Sequence, residues 1–309
     1  MKPTMKVNFN NILCATDLSE LSNVSISAAV ALAKEFNAKL YICHVVDLTV
    51  QAAYGDVVLA PIELQNQTTE YALDHINTLI GDQDIDWEPL ISTGHPSDEI
   101  AKLVDAYHID LAVLATHGRS GIKRVILGSV TERLMRILPC PLLIVRSLES
   151  DNTAVQQYRL KIKKILAGCD FSPYSKLAFH YGLSLAQEFE AELHMVHVVE
   201  THNYKDLLKT STAVKEDSEI QLQKQISDKL SRMIPKESFA WCQPKIVLLA
   251  GQPYEEIIKH ALLHQIDLIV LGIRGKNLIE ALFTGSTTDR VARQAPCPVL
   301  SVCPPQDKA

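Results

Sequence analysis

The chain repeats itself, and that duplication limits its folds more than any single motif does. NNILCATDLSE (10–20) recurs as KKILAGCDFSP (163–173), setting Asp17 over Asp170 at an offset of 153 (170 − 17), and LYICHVVD (40–47) recurs as LHMVHVVE (193–200) at the same offset. Further on, STGHPSDEI (92–100), IDLAVLATHG (109–118) and LPCPLLIVR (138–146) return as LAGQPYEEI (249–257), IDLIVLGIRG (266–275) and APCPVLSVC (295–303), now offset by 157 (275 − 118). The second copy therefore carries a net four-residue insertion between His197 and Leu249. A repeat of this length is a whole domain rather than a solenoid unit, and 309 residues with 47% hydrophobic content suffice for two such cores. SLESDNTAVQQYRLK (147–161) has no helical apolar period and reads as a linker, so the domains are 1–150 and 151–309.

Within each copy, short continuous apolar runs alternate with amphipathic helical stretches. In the first copy the runs fall at 11–16, 39–46, 87–92, 109–115 and 141–146, and the helical patterns at 20–36, 62–80, 96–107 and 129–138. Runs of that kind are strands buried on both faces of a parallel sheet. Their alternation with helices predicts a doubly wound α/β domain with right-handed crossovers. Ligands of such sheets bind beyond the carboxyl ends of the strands, where the strand order reverses. The last strands, 141–146 and 298–303, are short, apolar and flanked by Cys-Pro, and exposed edges invite pairing, so the two domains are expected to pair through them.

Composition excludes several function classes. A net charge of −6 gives no field that would gather nucleic acid or anionic lipid. There is no apolar run of the ~18 residues that span a bilayer, and Met1 to Asn11 is too polar for a secretory signal, so a cytoplasmic protein is expected. The seven cysteines include no CxxC pair and no His at zinc spacing. Those inside apolar runs, such as Cys14 and Cys43, read as small buried hydrophobes, and no metal site is expected.

Two features in each copy point to a ligand. The segment after the fourth strand, ATHGRSGIKRVILGS (115–129) and GIRGKNLIEALFTGS (272–286), ends in Gly-Ser where a helix begins. A helix N-terminus offers free N–H groups and positive potential to phosphate, and Gly128 or Gly285 would let backbone approach it. The same Gly-Ser also suits an ordinary cap, since Ser129 with Glu132 and Ser286 with Asp289 have capping-box spacing. The second feature is the acid closing the first strand, Asp17 or Asp170, placed to accept hydrogen bonds from a ribose or base. It equally fits turn chemistry ahead of Ser19 or Ser172, with Pro173 suited to the first helical position. His44 and His197, inside apolar strands, read as satisfied core histidines.

The spacing G-2x-G-9x-G-[S/T], met by Gly272, Gly275, Gly285 and Ser286 and, with Ala115 in the first place, by Gly118, Gly128 and Ser129, is similar to the ATP-binding signature of the universal stress protein (UspA-like) family. HGRSG, LGSVTERL and CPLLIVR also resemble that family, and the likeness covers both copies. It implies the Rossmann-like adenine-nucleotide alpha-hydrolase type of fold, five strands in the order 3-2-1-4-5, and a nucleotide-responsive stress regulator. It implies a base and ribose at Asp17 and Val45, or Asp170 and Val198. Phosphates are implied at Gly118, Gly128, Ser129 and Val130, or Gly275, Gly285, Ser286 and Thr287, with His117, Arg119 and Arg274 in the same loops. The implied cofactor is ATP, with or without Mg2+. Beyond intramolecular pairing of the two domains, a further homodimer is conceivable. The chain lacks GxxxxGK[ST], GxGxxG after the first strand, GxSxG and HExxH, so no enzyme is expected beyond slow ATP hydrolysis. The competing reading is a nucleotide-free interaction module with vestigial pockets, in which the polar stretch 216–234 forms an amphipathic helix.

Overall fold

The computed structural model describes residues 6–47, 61–116, 127–146, 161–200, 212–242, 244–273 and 286–304. The chain divides into two compact units at Leu160 and Lys161. Lys6 and Val7 belong to the second: Lys6 pairs with Glu188 at 2.8 Å, and the Val7 N–H donates to Ser184 Oγ at 2.8 Å. The linker stretch 147–160 lies outside the described residues.

In the first unit, β1 (Asn11–Ala15) is followed by a 3-10 turn (Glu20–Ser22), α1 (Asn23–Phe36), β2 (Lys39–Val46), α2 (Pro61–Ile80), β3 (Trp87–Thr93), α3 (Pro96–Ala106), β4 (Leu111–Ala115), α4 (Ser129–Ile137) and β5 (Leu142–Val145). The strands pair in parallel in the order 3-2-1-4-5. The second unit runs β6 (Lys164–Gly168), α5 (Pro173–Glu188), β7 (Glu192–Val199), α6 (Thr212–Ser231), β8 (Lys245–Ala250), α7 (Pro253–His264), β9 (Leu268–Gly272), α8 (Ser286–Gln294) and β10 (Val299–Val302). It repeats the order as 8-7-6-9-10, again all parallel.

The elements match the sequence pattern, with differences only at their ends. The fourth strand starts at Leu111 rather than 109 because Asp110 is diverted: its Oδ2 accepts the Asn10 and Asn11 N–H groups at 2.8 and 3.0 Å. Asp267 does the same for Lys163 and Lys164 at 2.8 and 2.9 Å. The first helix begins at Asn23 rather than 20, since Glu20–Ser22 tightens into a 3-10 turn. The inserted residues of the second copy are not in the long helix. Both α2 and α6 have 20 residues, and the extra length lies between α6 and β8, where Lys236–Ala240 forms another 3-10 turn.

Continuous apolar strands buried on both faces make the core. Ile12, Leu13 and Cys14 in β1, and Ile165, Leu166 and Ala167 in β6, are fully buried. Burial of one such Leu or Ile stabilises the fold by about 1.5–3 kcal/mol. Five of the seven cysteines are buried, and burial pushes the Cys14 and Cys43 thiols up to about 12.

Candidate functional site

In the order 3-2-1-4-5 the chain leaves β1 toward β2 on one side while β4 lies on the other, so the crossovers diverge between β1 and β4. A cleft of about 270 Å³ opens there at the carboxyl ends of the strands. Asp17 after β1, Val45 in β2, Ala115 at the end of β4, and Gly128, Ser129 and Val130 at the start of α4 all line it. Six positions proposed from sequence for the first copy thus converge on one cavity. His117, Gly118 and Arg119 lie outside the described residues.

Asp17 is set by the turn it occupies. Its Oδ1 accepts the Ser19 N–H at 3.1 Å and the Ser19 hydroxyl at 2.6 Å. Leu18, between them, is held at φ 62, the left-handed region that non-glycine residues rarely enter, and its N–H donates to Thr16 Oγ1 at 3.0 Å. Phe171 repeats this at φ 67, with the Ser172 N–H donating to Asp170 Oδ1 at 2.9 Å. Such conformations persist where the surroundings over-determine them, and they recur at ligand sites. The turn reading of the acid is therefore right, and the same turn presents Asp17 to the cleft.

The helix start differs from the sequence reading. Gly128, not Ser129, is the N-cap of α4, and having no side chain it makes no cap bond. Ser129 is the first helical residue, one place too far in to serve as the cap of a capping box, and Glu132 pairs forward with Arg136 at 2.5 Å. Thr131 instead donates its hydroxyl to the Ala115 carbonyl at 3.2 Å, tying the helix start to the end of β4. An uncapped first turn leaves N–H groups to be satisfied by water or a ligand, and their positive end faces the cleft. Gly128 has an ordinary φ of −57. Among the described residues a Cβ built on it would meet Thr116 O at 3.5 Å and Thr131 Oγ1 at 3.9 Å, both ordinary contacts. Neither the backbone geometry nor the packing of the described residues requires glycine here.

The second copy uses its glycine otherwise. A Cβ on Gly272 would lie 2.6 Å from the carbonyl carbon of Tyr174 and 2.7 Å from its oxygen. Gly272 is thus the place where the first turn of α5 crosses β9. Val198 packs against the core cluster of Val196, Ile257 and Leu271. Asp170 stays in its turn, and Ser172 caps α5 by accepting the Ser175 N–H at 3.1 Å, with Pro173 at the first helical position as expected. Above Asp170, Lys229 of α6 lies 4.1 Å from the ring centre of Phe171, which packs on His197. Thr287 lies in the first turn of α8, which opens at Ser286. Arg274, Gly275 and Gly285 lie outside the described residues.

His44 and His197 are structural, as read from sequence. Both are buried, and each ring Nδ1 pairs with the carbonyl of the residue just past the first strand of its copy, Thr16 at 2.9 Å and Cys169 at 2.6 Å. What sequence reading missed are the hydroxyls Thr16, Thr116 and Thr131 and the apolar wall of Cys43 and Ile100. Position at a strand's carboxyl end was the available signal for Thr16 and Thr116. Among the described residues no three His, Cys, Asp or Glu side chains are grouped to hold a metal ion, and no helix is long and apolar enough to cross a membrane.

Comparisons with known proteins agree with this geometry. A universal stress protein of Methanocaldococcus jannaschii is 30% identical over 141 residues, covering 45% of this chain and 82% of the relative. One of Bacillus subtilis is 32% identical over 148 residues, covering 45% of this chain and 99% of the relative. The solved structure of a universal stress protein from Archaeoglobus fulgidus shares the fold over 97% of this chain and 98% of its own, with a TM-score of 0.65 at 20% identity. The sequence profile of the universal stress protein family matches twice, over residues 8–146 and 161–302, so the chain belongs to that family as a tandem member.

Proposed function

We propose that the chain is a cytoplasmic, nucleotide-responsive stress regulator that binds ATP or a close adenine nucleotide, with the first half as the tighter site. The observation that carries this is Gly128: the described residues leave room for a side chain there, yet a glycine, with no side chain to cap it, heads the helix that opens on the cleft beside Asp17. A phosphate against those N–H groups accounts for the missing Cβ. The base and ribose would lie toward Asp17 and Val45 along the wall of Cys43 and Ile100, and ATP would bring Mg2+ as its own counter-ion. Binding rather than turnover is the proposed role, because Asp17 is the one carboxylate among the described lining residues and its Oδ1 is engaged in its turn. In the second half, the packing of Gly272 and Val198 favours a weaker site.

Calorimetric titration of the full chain with ATP tests this. Wild type is expected to bind, and Gly128→Val is expected to lose the tighter site because a branched side chain fills the phosphate position. The 3.5 Å clearance should leave the variant folded by circular dichroism. Unchanged affinity in the folded variant would refute the assignment.

A further inference from the structure

At the opposite end of the second half's sheet, away from the strand ends that carry the candidate site, two buried histidines meet. His194 in β7 and His260 in α7 are 3% and 6% exposed, and His194 Nδ1 lies 2.8 Å from His260 Nε2. The Glu192 carboxylate pairs with the other nitrogen of His194, and Lys245 of β8 pairs with the same carboxylate at 2.7 Å. Glu192 is held near a pKa of about 2, by Lys245 first and His194 second, so it stays an acceptor. That fixes His194 as the Nε2–H tautomer, whose Nδ1 lone pair accepts the Nε2–H of His260. His264, one turn on, stacks its ring 4.1 Å from that of His260. Near the pair among the described residues are also Lys164 of β6, whose Nζ donates to the His264 carbonyl at 2.9 Å, and the Cys242 thiol, which donates to the Ala191 carbonyl at 3.8 Å; Asp267, just beyond α7, is engaged with the Lys164 backbone N–H at 2.9 Å.

We propose that the His194–His260 contact is a proton-sensitive latch that fastens the last turn of α7 to β7, in the second half alone. One N–H shared between two nitrogens joins the rings. A second added proton would set two N–H groups face to face, and burial, with Lys245 and His264 nearby, opposes even the first. Burial, then His264 and His194, holds His260 down at about 4 against an ordinary 6.5. Burial likewise lowers His194. A histidine with a depressed native pKa is neutral when latched, so the latched state loses stability as pH falls from about 6.5 toward 4 and gains it as pH rises. The first half has no counterpart. Tyr41, Leu103 and Tyr107 occupy the equivalent positions, with the two tyrosine rings 4.8 Å apart. The charge pair there is reversed, Lys39 with Glu88 at 2.8 Å. Helix α7 also carries Ile257, the counterpart of the cleft-lining Ile100, so unlatching loosens a helix that walls the second half's own strand-end region.

Hydrogen exchange on the full chain, expressed as protection factors, tests the latch. Between pH 7 and pH 5 the amides at the end of α7 should lose about twentyfold in protection, the factor given by a shift from 6.5 to about 4. Those at the end of α3 should not change. The combined substitution His194→Tyr, His260→Leu and His264→Tyr, which installs the first half's residues, should abolish the pH response. NMR titration of the wild-type imidazoles needs no variant and should find His260 below pH 5. Titration of both buried rings between pH 6 and 7, or an equal response of α3 and α7, would overturn the proposal.

Discussion

Two signature glycines, one from each half, have opposite physical reasons, and they stand at different places in the signature: Gly272 where the first half has Ala115, Gly128 where the second has Gly285. Gly272 has no side chain because helix α5 occupies the space, its Tyr174 carbonyl 2.6–2.7 Å from where a Cβ would sit. Gly128 has none although the described residues around it leave room. The amino-terminal edge repeats the lesson: Lys39 faces Glu88 in one half, and Glu192 faces Lys245 in the other, with the polarity reversed and tyrosines exchanged for histidines. Duplication has kept what the sheet geometry demands, strand order, register and the Asp110 and Asp267 bridges. It has let go of side chains whose partners lie on one another. A match to a signature glycine therefore means binding only where packing does not already explain it.

The largest expected effects test the shared part of this comparison. Leu13 and Leu166 are equivalent and fully buried, so Leu13→Ala and Leu166→Ala should each cost about 2–5 kcal/mol through lost burial and the cavity left behind. Chemical denaturation that gave one of them less than about 1 kcal/mol would break the equivalence of the two cores. The glycine contrast comes next. Gly272→Ala should cost about 1–3 kcal/mol, because its methyl meets backbone that cannot rotate away. Gly128→Ala should change stability by less than about 1 kcal/mol, as expected where φ is already favourable and contacts are ordinary. Equal losses in thermal unfolding would remove the distinction on which the nucleotide proposal rests.

Helix capping separates the halves by a smaller amount. Ser172 accepts the Ser175 N–H at 3.1 Å, whereas Ser19 makes no cap bond. Ser172→Ala should therefore cost about 1 kcal/mol. Ser19→Ala should cost less, since Asp17 keeps its bond to the Ser19 backbone N–H. A larger loss at Ser19 would show that the acid's turn, not the helix, is the stability determinant.

The frame was legible because strands buried on both faces must be continuous apolar runs, and those runs recur in both copies. That Asp17 and Gly128 would lie at the strand ends around the cleft was legible too, whereas Val45 was named only by likeness to a family. The rest was hidden for physical reasons. Ser129 looked like a cap since its type and spacing are right, but a cap depends on which residue leaves the helical backbone, and that is Gly128. Tyr174 and Gly272 lie far apart in sequence, and nothing local encodes a helix crossing a strand so closely. His194 and His260 are 66 residues apart, and each alone reads as a stray polar residue in an apolar pattern.

The smallest expected difference lies in the reversed charge pairs. Both are partly exposed, Lys39 and Glu88 at 33% and 43%, Glu192 and Lys245 at 34% and 58%. Solvent screening confines such pairs to the weak range of ion-pair strengths, and a double-mutant cycle isolates that coupling from the other effects of each change. In the first half the pair is joined by the Tyr41 ring, 5.0 Å from Lys39 Nζ, and by the charge of Asp86. Its coupling should be near the low end and fall with added salt. In the second half Glu192 also holds His194, so Glu192→Gln should cost more than Lys245→Met and should weaken the His194–His260 contact as well. The coupling between Glu192 and Lys245 should exceed that of Lys39 and Glu88, because a carboxylate ordered by a buried imidazole loses less freedom on pairing with the lysine. Acid sharpens the contrast. The Glu192 carboxyl is held down near 2 against an ordinary 4.5, so its contribution is complete above about pH 4.5 and is lost as pH falls toward 2. Cycles measured at neutral pH that gave the two pairs equal coupling would show that the histidines lend the second pair no order, leaving it an ordinary surface contact with its charges exchanged.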